Sequence, residues 1–213
     1  NIKMKNNLLI LLILVCFSCG IFNTGENAVT QKLYVCVQGE NQVAVYNTPN
    51  LSLLKLIDVD FSNEGNMPHF VVLDEINNYW FVTGMGGGYV AQFNLLTDEF
   101  IDTIAVGNNP ALMTIDPINK KLFCSRMEMG GMGGMDMMTS NVITGIHYTD
   151  EGMVLGDEFN SNDGLQSEQL HAITYDNNKE NIITASMSDD WLYKISLIDN
   201  SIDNLSLHSS SDG

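Results

Sequence analysis

The chain has 213 residues, and its 26 acidic side chains outnumber its 9 basic ones, for a formal net charge of −17. That balance excludes a nucleic-acid binder, because affinity for a phosphate backbone comes mainly from lysine and arginine. It also excludes a basic membrane-binding surface. Apolar residues make up 45% of the chain, which supplies a core and excludes a disordered protein. Only 16% of the residues are charged, which favours short strands joined by uncharged turns.

The N-terminal segment has the pattern of an export signal. Lys3 and Lys5 precede an unbroken apolar run from Leu8 to Val15, which is typical of a secretory signal peptide. The run is too short to cross a bilayer as a helix. We therefore predict a signal peptide over residues 1–18 and a linker over residues 19–30.

The end of this signal, Ser18-Cys19-Gly20, resembles the lipobox of bacterial lipoproteins. The resemblance implies that Cys19 is lipidated and that the protein lies in the cell envelope, attached to the membrane only through this lipid anchor. A plain signal peptide, with secretion to the periplasm, is the alternative.

Three stretches of the chain share a pattern in which an apolar strand ends on aspartate and a polar turn leads to a second strand. The first strands begin near residues 69, 111 and 171, and the second strands are centred on residues 81, 123 and 183. The aspartates recur at one turn per repeat, so we interpret them as turn residues that bond their own backbone rather than as catalytic groups. They are Asp74, Asp116 and Asp176. Val72, Ile115 and Ile173 are predicted at equivalent buried positions of the first strands.

Third and fourth strands follow in register. Val43–Asn47 and Val90–Asn94 form aligned third strands, and fourth strands are expected over residues 53–59, 100–106 and 202–207. Four short strands in a repeat of about 40–45 residues are typical of a β-propeller blade, whose sheets pack face to face around an axis. Phe81 and Phe123, in second strands, are predicted to pack between blades.

The motif LYVCV at residues 33–37, the motif VAVYN at residues 43–47 and the link IAVGNNP at residues 104–110 resemble the YVTN-type β-propeller repeat. The resemblance implies an all-β propeller of four-stranded antiparallel blades over residues 31–213. About four blades are present, the first without its opening strand, as part of a larger ring of about seven blades. A closed four-bladed ring is the alternative.

Histidines and methionines recur at aligned positions next to these strands. His69 and His171 begin the first strands of the second and fourth repeats, and Met85, Met127 and Met187 directly follow three successive second strands. In the third repeat the loop expands into a run rich in methionine and glycine. Its further methionines are Met129, Met132, Met135, Met137 and Met138.

Both groups are predicted to lie on one face of the propeller. Thioether sulfur favours Cu(I), and imidazole also binds copper, so the ten residues are a candidate copper site. The alternatives are histidines that only bond backbone, methionines that fill gaps between blades, and a mobile loop or an adaptable surface for a protein or small-molecule ligand.

The segment has no recognisable catalytic motif, so we expect a non-catalytic binding or scaffold module. The alternative is the N-terminal propeller part of a copper- or haem-dependent oxidoreductase or of a lactonase-like enzyme, since related propellers support such chemistry. Cys36 and Cys124 are predicted to be free thiols, because the repeat alignment places them out of register.

Overall fold

A computed structural model describes residues 31–62, 65–127, 142–166 and 169–207, and in these ranges the chain forms fifteen β-strands. Two short 3-10 turns, Gln38–Glu40 and Ser161–Asp163, are the helical elements of that part of the chain. The predicted all-β class is therefore confirmed. The predicted signal peptide and linker, Cys19 and the loop methionines from Met129 to Met138 lie outside the described residues.

The strands form four separate antiparallel sheets in chain order, and each sheet joins strands that follow one another in the sequence. The first sheet consists of β1 (Lys32–Val37), β2 (Gln42–Asn47) and β3 (Ser52–Asp58). The second sheet consists of β4 (Pro68–Asp74), β5 (Tyr79–Gly84), β6 (Tyr89–Asn94) and β7 (Phe100–Ala105). Within the described residues, the first sheet begins with β1, which corresponds to the second strand of the other sheets.

The third and fourth sheets repeat this order. The third sheet consists of β8 (Pro110–Asp116), β9 (Lys121–Arg126), β10 (Ile143–Thr149) and β11 (Gly152–Phe159). The fourth sheet consists of β12 (Leu170–Asp176), β13 (Asn181–Ser186), β14 (Trp191–Ser196) and β15 (Ile202–Ser206). Strand β11 had no counterpart in the predicted set. Its residues are mostly exposed, so the strand carries little apolar alternation.

Neighbouring sheets stack as propeller blades do, with the opening strands β4, β8 and β12 side by side. Each pair of neighbouring sheets encloses one cluster of buried side chains. Phe81 is fully buried between the second and third sheets, where its ring centroid lies 4.8 Å from that of Tyr148. Phe123 is buried against the fourth sheet. Burial of each such ring stabilises the stack by about 2–3 kcal/mol, and the predicted packing of both is confirmed.

Val72, Ile115 and Ile173 occupy equivalent places in the opening strands, but each is only half-buried. Each packs against the neighbouring cluster. These three residues were predicted to be buried, and the structure leaves each of them partly exposed. The reason is that each opening strand lies at the edge of its sheet, so one side of the strand has no paired neighbour.

Candidate functional site

The loops gather at two ends of the sheets because successive strands run in opposite directions. We define the upper face as the end at which β4, β8 and β12 begin and at which β5, β9 and β13 finish. The lower face is the opposite end, where the turns after Asp74, Asp116 and Asp176 lie. The predicted copper ligands that the structure describes all belong to the upper face.

One backbone hydrogen bond recurs beside each aligned methionine. In the second, third and fourth sheets, the methionine that follows the second strand donates its backbone amide to a carbonyl near the start of the opening strand. The accepting residue lies two positions before His69, Ala111 or His171. The accepting residue has a positive φ each time, which is uncommon outside glycine. The pairs are Met85 with Met67 (3.1 Å), Met127 with Asn109 (3.0 Å) and Met187 with Gln169 (3.0 Å). The three methionines therefore hold equivalent positions, as predicted.

The side chains of these methionines differ in burial. Met85 and Met127 are half-buried, whereas Met187 is 62% exposed. An exposed thioether fills no gap between blades, so gap filling does not explain Met187.

His69 and His171 come together across the third sheet. Their ring centroids lie 5.8 Å apart with the rings at 66°, in an edge-to-face arrangement. The third sheet has Ala111 at the equivalent place, and this residue is fully buried. Because alanine is small, it leaves room for the two imidazoles to meet in front of β8.

Hydrogen bonds between sheets fix where these histidines lie. Thr83 donates to the carbonyl of Ala111 (2.9 Å), and Ser125, at the same repeat position, donates to the carbonyl of His171 (2.8 Å). Both hydroxyls belong to second strands and both acceptors to the next opening strand. The backbone that carries His171 is thereby tied to the third sheet.

Gln38, in the 3-10 turn after β1, is a residue that the sequence interpretation missed. Its side-chain nitrogen lies 2.8 Å from Nδ1 of His69. An amide N–H that donates to Nδ1 requires the ring proton to sit on Nε2. That Nε2 atom is buried and has no hydrogen-bond partner among the described residues. The contact joins residues 31 positions apart on different sheets, so no local pattern could have indicated it.

Both imidazoles are shifted towards their neutral form. Burial lowers the pKa of His69 below its usual value of 6.5, and burial together with the neighbouring His69 ring lowers the pKa of His171. Neutral imidazole is the form that binds metal ions, so these shifts favour ligation.

Met67 is a second residue that was missed. It is 41% exposed and adopts a φ of 44°, two residues before His69. The side-chain oxygen of Asn41 accepts from the amides of Asn66 (3.1 Å) and Met67 (3.3 Å), which holds this unusual conformation. Extension of the repeat alignment by two residues would have found it, since Met67 is equivalent to Asn109 and Gln169.

The glycines after Met85 have a packing role. A Cβ atom at Gly86 would lie 2.2 Å from the carbonyl oxygen of Gly65, and one at Gly87 would lie 2.6 Å from the ring of Tyr89. Larger residues would therefore clash with the neighbouring loop. These glycines bring the Met85 hairpin close to Met67.

The lower face carries the aspartates. The carboxylate of Asp74 accepts from the amides of Ile76 (3.1 Å) and Asn77 (3.0 Å), and Asp116 repeats the pattern. Asp176 accepts from the amide of Asn178 (3.0 Å). Their predicted role in the turns is confirmed.

The described part of the chain contains no group of three or more His, Cys, Asp or Glu side chains that could hold a metal ion. A metal site with three or more side-chain ligands among these residues would therefore combine histidine with methionine. Cys36 and Cys124 are free, as predicted, and burial raises the pKa of their thiols to about 11 and about 12.

No helix within the described ranges is long and apolar enough to span a membrane.

No protein-family model matches the chain, and no curated protein matches it. Solved structures do match. Hydrazine synthase from Kuenenia stuttgartiensis superimposes with a TM-score of 0.65 at 15% identity, over 84% of this chain and 51% of that one. A candidate 6-phosphogluconolactonase from Bacteroides fragilis gives a TM-score of 0.62 at 12% identity, over 82% and 50%.

A dihydro-haem d1 dehydrogenase gives a TM-score of 0.56 at 11% identity, over 83% of this chain and 35% of that one. The similar structures thus include lactonase-like and haem-related enzymes of β-propeller type. At these identities they establish the fold alone. The chain spans between 35% and 51% of the length of the solved proteins named here.

Proposed function

We propose that the chain is the propeller part of an exported, non-catalytic binding module whose upper face binds Cu(I). One observation carries the proposal. Paired histidines and structurally equivalent methionines lie on the same face, although they come from different sheets. Two metal-binding side-chain types, imidazole and thioether, recur on this one face of the propeller.

The ligand chemistry favours Cu(I) over harder ions. Thioether sulfur is soft and binds Cu(I), imidazole binds copper well, and Mg²⁺ and Ca²⁺ require oxygen ligands. Thioethers do not need to lose a proton, so methionine ligands stay available in an acidic compartment. Met127 follows the second strand of the third sheet at the upper face, and the methionines that come after it in the sequence would supply further sulfur.

A protein or small-molecule ligand on the upper face is the other occupant that the residues support. Flexible methionine side chains adapt to varied partners. We argue for the metal because burial lowers the pKa of both imidazoles, which favours the neutral form that binds metal ions.

Anaerobic titration with Cu(I) against a competing chelator tests the proposal. The wild type is compared with a variant in which Met127, Met129, Met132, Met135, Met137 and Met138 are all leucine. The matched control is Met153→Leu, because Met153 lies buried in β11 near the lower face. We expect affinity to fall about 10-fold or more in the loop variant and to be unchanged in the control. Equal affinities would remove the loop from the site, and no binding by any form would overturn the proposal.

The location in the cell envelope is a separate proposal that rests on the lipobox resemblance at Cys19. Cys19→Ala should move the protein from the membrane fraction to the soluble fraction of a bacterial host. Cys16→Ala is the matched control and should stay with the membrane. If wild type and Cys19→Ala are equally soluble after export, the anchor is wrong.

An enzyme is the second candidate, favoured by the match to lactonase-like and haem-related proteins. A lactone-hydrolysis assay and a haem titration followed by absorption distinguish it from the binding module. The binding module should show neither activity nor a haem spectrum. Either signal would favour the enzyme.

A further inference from the structure

We infer that one Cu(I) ion bridges Nε2 of His69 and the imidazole of His171, and that Gln38 is the positioning residue that orients His69 for it. The inference rests on the proposed function and goes further, since it names the ligand atoms and a residue outside the predicted set. The site would join three sheets, because Gln38 belongs to the first, His69 to the second and His171 to the fourth.

The spacing of the rings fits a shared ion. Metal–nitrogen bonds to imidazole are about 2.0–2.1 Å long, so one ion spans two imidazoles whose centroids lie roughly 6 Å apart. The observed separation is 5.8 Å. The rings stand edge to face, so ligation requires the partly buried His171 ring to rotate until one nitrogen faces the ion.

The unpartnered Nε2 atom of His69 marks the place of the ligand. Buried polar atoms normally have a partner, and each exception calls for an explanation such as an ion. Nε2 is buried without a partner, while Nδ1 of the same ring is bonded to Gln38. A ligand at Nε2 would complete the bonding of the ring.

Ligation changes which nitrogen of His69 carries the proton. The Cu–N bond uses the lone pair of Nε2, so the proton leaves Nε2 for solvent and solvent protonates Nδ1. The net proton count is unchanged, and copper stays Cu(I). The Gln38 amide then turns so that its oxygen accepts from Nδ1–H. Metal-bound histidines commonly donate their other ring N–H to an oxygen in this way.

The test is nitrogen NMR of the full chain labelled with ¹⁵N at histidine, before and after one equivalent of Cu(I), which is diamagnetic. Before addition, His69 should show a protonated Nε2 and an unprotonated Nδ1. After addition, Nδ1 should be protonated and Nε2 should show the shift of a metal-bound nitrogen. His147→Gln, in β10, is the matched control and should behave as wild type.

Three variants sharpen the test. His171→Gln should abolish the exchange of tautomers. Gln38→Leu should give a mixture of His69 tautomers before metal is added and lower the affinity about 10-fold. Gln38→Glu should restore the affinity, because a carboxylate accepts from Nδ1–H. Gln38 lies on an exposed turn, so these variants are expected to fold.

The outcomes separate this inference from the proposed function. Binding of Cu(I) with unchanged His69 and His171 signals would overturn the bridge and leave the methionine site standing. Binding at Nδ1 with loss of the Gln38 contact would overturn the role of Gln38. No binding at all would overturn both the bridge and the proposed function.

Discussion

The lower and upper faces are built from the same repeat, yet Asp74 on the lower face and His69 on the upper face are bonded very differently. On the lower face, buried Asp74 accepts hydrogen bonds from two turn amides, from the side chain of Asn77 and from the hydroxyl of Tyr148 on the next sheet. On the upper face, buried Nε2 of His69 has no partner among the described residues. The bonds of Asp74 are explained by the fold, whereas the buried Nε2 atom calls for a partner such as an ion.

The tyrosine bonds extend this contrast from sheet to sheet. Tyr148 bonds Asp74 at 2.7 Å, and Tyr175 bonds Asp116 at 3.0 Å, each from the sheet that follows. The aspartates thus serve two purposes, because they shape their own turn and tie it to the next blade. Only the first purpose was predicted. The tyrosine contacts span more than fifty residues, so no local pattern could have indicated them.

The largest effect should come from the core that both faces share. Phe81→Ala should lower the free energy of unfolding by about 3–5 kcal/mol, because it leaves a cavity between the second and third sheets. Phe123→Ala should cost a similar amount. Urea unfolding measures the effect, and Ile118→Ala, at a 75% exposed turn residue, is the control that should change little. A cost below about 1 kcal/mol for Phe81 would contradict the packing.

The lower face should show graded effects. Asp74→Ala should cost about 2–4 kcal/mol, since buried donors lose their acceptor. Asp176 is the equivalent residue of the fourth sheet and is half-exposed. Asp176→Ala should therefore lower the free energy of unfolding by only about 0.5–1 kcal/mol. Asp116→Ala should fall between them. Urea midpoints for the three variants measure the series, and equal costs would show that the tyrosine bonds add nothing.

Removal of one tyrosine hydroxyl should cost less than removal of its aspartate. Tyr148→Phe should destabilise the fold by about 1 kcal/mol, because Asp74 keeps its other donors. Alkaline titration gives an independent measure on Tyr175, whose pKa burial and the bond to Asp116 raise to about 12. Asp116→Asn should lower that pKa. If it leaves the pKa unchanged, the hydrogen bond to Asp116 is wrong.

The smallest effect concerns acid and belongs to the upper face. Folding lowers the pKa values of His69 and His171 below the usual value of 6.5. The stability that the neutral pair contributes is therefore complete above pH 6.5 and is lost as the pH falls through the lowered pKa values. Between about pH 7 and about pH 5, the melting temperature of the double variant His69→Gln/His171→Gln should fall less than that of the wild type. Ile118→Ala, at the exposed turn position, should keep the wild-type slope in that range. A wild-type slope in the double variant would contradict the burial of the pair.

The features that recur locally in each repeat could be predicted from the sequence, and the contacts between sheets could not. The repeat spacing was enough for the strands, the turn aspartates and the equivalence of the three methionines, because these features are local and recur. Strand β11 escaped because an outer, mostly exposed strand has little apolar alternation. Gln38 was not predicted because it contacts His69 from another sheet. Met67 was not predicted because it lies two residues before the first aligned position of the repeat.

X-ray absorption at the copper edge of the Cu(I)-loaded full chain tests the central claim most directly, since it identifies the ligand atoms. A site shared by the histidine pair and the methionines predicts imidazole nitrogen and thioether sulfur in one spectrum. The nitrogen signal should disappear in the His69→Gln/His171→Gln variant and persist in His147→Gln. A spectrum with only one of the two ligand types, or one that the double variant leaves unchanged, would contradict the account.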